Sequence, residues 1–167
     1  MSTVWSRDLC CIHFENASPA QAEFLTQLAM DSNNVYGYRS VSDEEAIKVF
    51  MVTPEHFEKG IIRLMKAGSD LIGFYGLFCE EREGKKLNIL SHFFLKPEYI
   101  GKGFGRKLFQ EAMRAASEDL KWKGILWESD PNAAWFYEKM GAKQVGENPC
   151  PLNPAYKAPV FIYTLKD

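Results

Sequence analysis

The chain has 167 residues, of which 46% are hydrophobic and 25% charged, with a formal net charge of −2. That length suits a single domain, 1–167, with a sizeable core, and the composition is that of an ordinary globular protein. The near-neutral balance excludes the basic footprint expected of a nucleic-acid binder.

Residues 9–14 read as a short first strand. Ser18-Pro19-Ala20-Gln21 then combines an N-cap, a proline at N1 and a capping-box glutamine. Phe24, Leu25, Leu28 and Ala29 follow at helical spacing and put one face of that helix on the core. The polar stretch 31–39 reads as a loop. Ser42-Asp43-Glu44-Glu45 is a second capping box, opening a short helix to about Phe50, and Thr53-Pro54-Glu55 starts another turn.

Residues 61–66 and 71–79 are strands separated by the turn cluster Ala67-Gly68-Ser69-Asp70, and a charged tip, 80–85, separates the second from a strand over 86–95. The three form an antiparallel meander. The run 71–79 is the longest mostly apolar one and is far too short to span a bilayer, so no membrane partner is expected. No long apolar stretch marks a secretory signal at the start of the chain. Cys10, Cys11, Cys79 and Cys150 show neither a Cys-x-x-Cys pair nor a metal-ligand spacing. They fit reduced thiols in a cytoplasmic chain that needs no metal.

Ile100-Gly101-Lys102-Gly103-Phe104-Gly105-Arg106-Lys107 follows the third meander strand and opens a helix with Phe104, Leu108, Ala112, Ala115, Ala116 and Leu120 on one face. Glycines between a strand and a helix let several backbone N–H groups converge on one point, where the positive end of the helix dipole favours phosphate oxygens. The spacing is neither the G-x-G-x-x-G of dinucleotide-binding folds nor a P-loop. Residues 124–128 are a strand that the helix crossover makes parallel to its predecessor. Asp130-Pro131 caps a last helix ending at Gly141, and 160–165 is a closing strand with 142–147 as its partner.

The segment from Leu95 to Gly105, with Pro97 and Tyr99 ahead of the glycines, resembles the coenzyme A pyrophosphate motif of the GNAT superfamily of N-acetyltransferases. Ile100 stands where that motif has Arg or Gln, which removes one side-chain contact and leaves the backbone donors. A second block, Asp130-Pro131-Asn132-Ala133-Ala134-Trp135-Phe136-Tyr137, ending in Gly141-Ala142, is similar to the family's Asn-x-x-Ala-x-x-Phe-Tyr-x-x-x-Gly-Phe motif. The element order is also that of the family. The resemblance implies a mixed α/β (α+β) GNAT fold, with an antiparallel meander and a parallel strand pair splayed at the acyl-CoA site.

The resemblance further implies that Phe93, Phe94 and Leu95 pair their backbone with the pantetheine arm of acetyl-CoA. Gly101, Lys102, Gly103, Phe104, Gly105 and Arg106 would hold the diphosphate, with Asn132 and Phe136 also at the cofactor. Tyr137 matches the tyrosine beside the thioester sulfur, where a phenol can protonate the departing thiolate. An ammonium acceptor must lose a proton before attack. Glu128, at a strand end, and His92, on the pantetheine strand, are the two candidate bases; His13 and His56 read as structural. The implied activity is transfer of an acetyl group to a primary amine of a small molecule or peptide, by direct attack in a ternary complex. The alternative is a non-catalytic acyl-CoA sensor of the same fold. Proteins of this family often form homodimers, and the acceptor itself is not encoded in either block.

Overall fold

The computed structural model describes residues 11–166. Among them, one seven-stranded sheet runs in the order β1-β2-β3-β4-β5-β7-β6. Its strands are β1 (Ile12–Asn16), β2 (Gly60–Ala67), β3 (Asp70–Arg82), β4 (Lys85–Leu95), β5 (Gly124–Glu128), β6 (Lys143–Pro149) and β7 (Lys157–Thr164). The helices are α1 (Ala22–Asn34), α2 (Asp43–Phe50), α3 (Pro54–Glu58), α4 (Phe104–Arg114) and α5 (Ala134–Lys139). All strand pairs are antiparallel except β4 with β5, so the expected meander and parallel pair are both present. No described helix is long and apolar enough to cross a membrane.

The sheet separates two apolar layers, because side chains alternate along each strand. Phe74 belongs to the layer under α1 and α2, with Leu25, Leu28, Phe50 and Leu64. Its neighbour Tyr75 joins the layer under α4, with Leu108, Phe109, Trp127 and Tyr137.

Two local expectations are corrected. The first strand is present over Ile12–Asn16, and its expected start at Leu9, like Cys10, lies outside the described residues. Helix α1 continues through Asn34, into the stretch read as loop, because Ser32 and Asn33 are buried polar residues and not solvated ones. The charged tip is a two-residue turn: Glu83 and Gly84, at φ 50° and 75°, close the β3–β4 hairpin. Positive φ at both central residues matches the right-handed twist of the flanking strands.

The feature that matters for function lies in β4. Leu90 pairs with Leu77 and His92 with Gly76, so Ser91 is an extra residue, a β-bulge. A bulge bends the strand and sharpens its twist. The only position of β4 that pairs with β5 is Ile89, opposite Leu126. Beyond the bulge the two strands part, and the β5-facing backbone of residues 90–95 has no strand partner. Gly76 permits this close approach: a Cβ there would stand 2.6 Å from Ser91 Oγ and 2.8 Å from Ile62 Cδ1.

Candidate active site

Two sites flank the slot between β4 and β5. At one end is the glycine turn. Gly101 and Gly103 sit at φ +79° and +88°, the left-handed region that other residues enter at a cost, and no atom lies within 4 Å of a Cβ built on either. Gly103 is the N-cap of α4. The first N–H groups of α4 have no intrahelical acceptor, so they face the open side of the turn with the dipole behind them. Lys102, Arg106 and Lys107 are exposed around it. Phe104 turns inward instead, buried edge-on to Tyr99 at 5.4 Å, so its contribution to a ligand is its backbone. Gly105 lets the Phe136 ring approach: a Cβ would lie 3.3 Å from Phe136 Cε2.

At the other end is a cavity of about 280 Å³. Ser91, Phe93 and Phe94 of β4, Trp127 and Glu128 of β5, and Tyr137 of α5 line one side. Ser32, Asn33, Tyr36 and Tyr38 line another, and Cys150 and Leu152 contribute from the loop after β6. The only charged residues in this lining are Glu128 and Asp130, both acidic.

The structure brings Phe93, Phe94, Glu128 and Tyr137 together at the cavity. Tyr137 is only 7% exposed, and its ring stands 5.1 Å from that of Trp127. Its hydroxyl makes no hydrogen bond among the described residues. Burial, and then the nearby Tyr36 and Asp130, push its pKa well above the ordinary phenol value, so the hydroxyl keeps its proton. Glu128 ends β5 at the exposed rim, where its Oε2 accepts from Asn148 Nδ2 at 2.9 Å.

His92 is not among the residues that line the cavity. It is 4% exposed in the layer under α2 and α3, 4.8 Å from the His56 ring. Its Nε2 lies 3.2 Å from the carbonyl of Phe50, the last residue of α2, and its Nδ1 lies 3.0 Å from Ser91 Oγ. These partners require Nε2–H to donate to the carbonyl and Nδ1 to accept from the hydroxyl, which makes His92 a clasp on an orphan helix carbonyl. Burial, and secondarily His56, depress its pKa to about 4. Asn132 is also turned to local work, its backbone N and Nδ2 both donating to Asp130 Oδ1, at 2.7 and 3.0 Å.

Asn33, Tyr36, Tyr38 and Asp130 were marked by no functional reading of the sequence. Asp130 Oδ2 accepts from Asn33 Nδ2 at 2.6 Å and from the Tyr38 hydroxyl. With Asn132 on Oδ1, its carboxylate is held on both oxygens. A signal existed: counting back three from Ala133 puts Asp130, not Asn132, at the first position of the second motif.

The residues fit an acyl-CoA. The slot offers unpaired backbone to an amide-bearing arm, the glycine turn offers donors to a diphosphate, and the indole Nε1 of Trp127 is a buried donor without a partner beside the thioester end. Such a group costs about 1–3 kcal/mol until something accepts from it. Among the described residues no cluster of three or more His, Cys, Asp or Glu is placed to hold a metal ion.

Comparison with known proteins agrees with this geometry. The family model described as acetyltransferase (GNAT) domain matches residues 62–141. The spermine/spermidine N(1)-acetyltransferase of Bacillus subtilis (strain 168) is 35% identical over 85 residues, which are 47% of this chain and 56% of the relative. The chain thus matches little more than half the length of that curated relative. Among solved structures, a GNAT acetyltransferase from Staphylococcus aureus superposes with a TM-score of 0.70 at 14% identity, covering 93% of this chain and 99% of that one. A variant of the Vibrio cholerae spermidine N-acetyltransferase SpeG gives 0.66 at 18% identity, over 93% and 95%. The PaiA N-acetyltransferase of Thermoplasma acidophilum, solved with coenzyme A, gives 0.64 at 18% identity, over 92% and 98%. Residues 62–141 are thus similar to GNAT acetyltransferase domains, and the fold is the one seen in solved GNAT acetyltransferases.

Proposed function

We propose that this protein transfers an acetyl group from acetyl-CoA to a primary amine of a small cationic molecule. One observation carries the reading: the Ser91 bulge opens a slot that leads from a glycine-rich, base-flanked helix start to a cavity whose only charges are carboxylates. The acidic, tyrosine-walled lining suits an ammonium group, through Coulomb attraction and ring faces. Polyamines have this chemistry and are the substrates named for two of the relatives above, those from Bacillus subtilis and Vibrio cholerae, which supports a polyamine-like acceptor.

When bound, the acyl-CoA supplies an activated acyl carbon. The chain's own groups would do the rest. Residues 93–95 hold the arm by backbone pairing, and β4 N–H groups facing the slot polarise the thioester carbonyl. Glu128, directly or through water, takes the proton that the ammonium must lose, leaving a neutral nitrogen to form the new C–N bond. As the C–S bond breaks, the Tyr137 hydroxyl donates a hydrogen bond to the departing sulfur, and the nitrogen's surplus proton passes through water to solvent or to the thiolate, which gives the amide and the free thiol. An ordinary thiol titrates near ~8.5, below this phenol, so Tyr137 stabilises sulfur charge as a hydrogen-bond donor and is not a stronger acid than the thiol. His92, occupied by Phe50 and Ser91, has no part in this scheme.

Free cysteines at 11, 79 and 150 and an acetyl-CoA donor favour a cytoplasmic setting. Self-association would use exposed surface such as edge strand β6, all seven residues of which are exposed. The test is thiol release from acetyl-CoA in the presence of a panel of mono-, di- and polyamines, with product mass confirmed. Stimulation by cationic amines is the expected result. Binding of acetyl-CoA with no amine-dependent thiol release would leave an acyl-CoA sensor.

A further inference from the structure

Trp135 is the most exposed large apolar side chain among the described residues, at 65%. It does not line the acceptor cavity and is taken up by neither apolar layer. Its one ring contact is edge-on to Phe136, at 6.3 Å and 85°. An exposed indole offers a flat apolar face with one polar edge, a surface suited to a planar ligand.

Its place on α5 says what that is. An α-helix advances about 100° per residue. Tyr137 faces the cavity, and Phe136 lies against Gly105 in the first turn of α4. Trp135 comes next in the same rotational sense. Taken in the order 137, 136, 135, the three rings pass from the thioester end, along the start of the diphosphate turn, to the surface beyond it. A coenzyme A molecule laid through the slot runs the same way, with its nucleoside beyond the diphosphate.

We propose that Trp135 is the platform on which the adenine ring of the coenzyme A donor stacks. The inference rests on the acyl-CoA reading above and adds a binding residue at a variable position of the second motif. A purine presents a flat face to which an indole stacks, a contact that alanine substitution typically weakens by roughly 5- to 150-fold in affinity. The exposed bases of the α4 start lie on the phosphate side and supply charge; Trp135 supplies an exposed aromatic face past it.

The experiment is calorimetric titration of wild type, Trp135→Ala and Trp135→Phe with coenzyme A, 3′-dephospho-coenzyme A and 4′-phosphopantetheine, which lacks the nucleoside. Trp135→Ala is expected to lose affinity for both nucleoside-bearing ligands by about 5- to 150-fold, keep its affinity for phosphopantetheine, and be largely rescued by phenylalanine. Unchanged coenzyme A affinity, or an equal loss for phosphopantetheine, overturns the proposal while leaving acyl-CoA binding intact. A wild type that binds no coenzyme A overturns both readings together.

Discussion

Asn33 and Asp130, 97 positions apart in the chain, are joined by a 2.6 Å hydrogen bond between amide nitrogen and carboxylate oxygen. The Tyr38 hydroxyl donates to the same oxygen. The bond ties the end of α1 to the start of the turn that leads into α5, and so fixes the acceptor wall against the helix that carries Tyr137. Hydrogen bonds to a charged group contribute about 1.5–3 kcal/mol. Asn33→Ala is expected to lower stability by about that amount and to raise KM for the amine, with coenzyme A affinity unchanged. Equal losses for amine and coenzyme A in steady-state kinetics and calorimetry would show a general loosening instead.

Removing only the hydroxyl at Tyr137 tests the sulfur contact. Tyr137→Phe should reduce kcat by roughly 10²- to 10³-fold, the usual cost of a lost charge-stabilising donor, with little change in coenzyme A affinity. Because burial raises the phenol pKa, the wild type should show no alkaline loss of activity from this group up to pH 10. A kcat within threefold of wild type, on the order of a packing change alone, would assign Tyr137 to the aromatic layer.

The base is separable by position. Glu128 lies on the cavity rim and His92 outside the lining, so Glu128→Gln should depress the rate on the acid side far more than His92→Gln. The opposite ranking in the pH–rate profiles would bring His92 back into the chemistry.

His92 instead makes a prediction about folding. Its pKa falls from 6.5 to about 4 on folding, because burial disfavours the charged ring. Between those values the unfolded chain binds a proton that the folded chain refuses, so stability is full above pH 6.5 and declines as pH falls towards 4. The decline from this residue is on the order of 3 kcal/mol. His56, also depressed by burial, adds to it in the same direction. Urea denaturation of wild type and His92→Gln across pH 7 to 4 should show a flatter dependence in the variant; parallel curves would refute the assignment.

Gly103 is tested by a branched side chain. Valine at φ +88° strains the N-cap and projects into the space before the α4 donors. Losing even one such donor contact to a charged phosphate corresponds to roughly tenfold or more in affinity. Coenzyme A titration of Gly103→Val should show at least that loss; unchanged affinity would place the diphosphate elsewhere.

The parts legible in the sequence are those written locally. Glycines between an apolar strand and an amphipathic helix, two capping boxes, and a Gly after α5 each state their geometry within a few residues. The parts missed depend on distant partners. Ser32 and Asn33 looked like loop because polarity normally means solvent, whereas the Asn33 amide is spent on Asp130. Glu80, Glu81 and Arg82 looked like a tip because nothing local distinguishes a long exposed hairpin arm from a turn. The Ser91 bulge exists only as a mismatch between β3 and β4, and no single-strand pattern announces it. His92 was attractive for its free titration range, which burial beside Phe74 and Phe94 removes.

The two apolar layers have an evolutionary consequence. The diphosphate turn, α4 and α5 are rooted in one, whereas α1, α2 and the loop bearing Cys150 and Leu152 are rooted in the other. Under the proposed acetyl transfer, mutational drift can therefore reshape the amine-facing wall while the donor-holding half keeps its own packing. A lineage built on that plan would change what it modifies without relearning how to hold its acyl carrier, and transplanting the α1–α2 segment between relatives becomes a rational route to new acceptors.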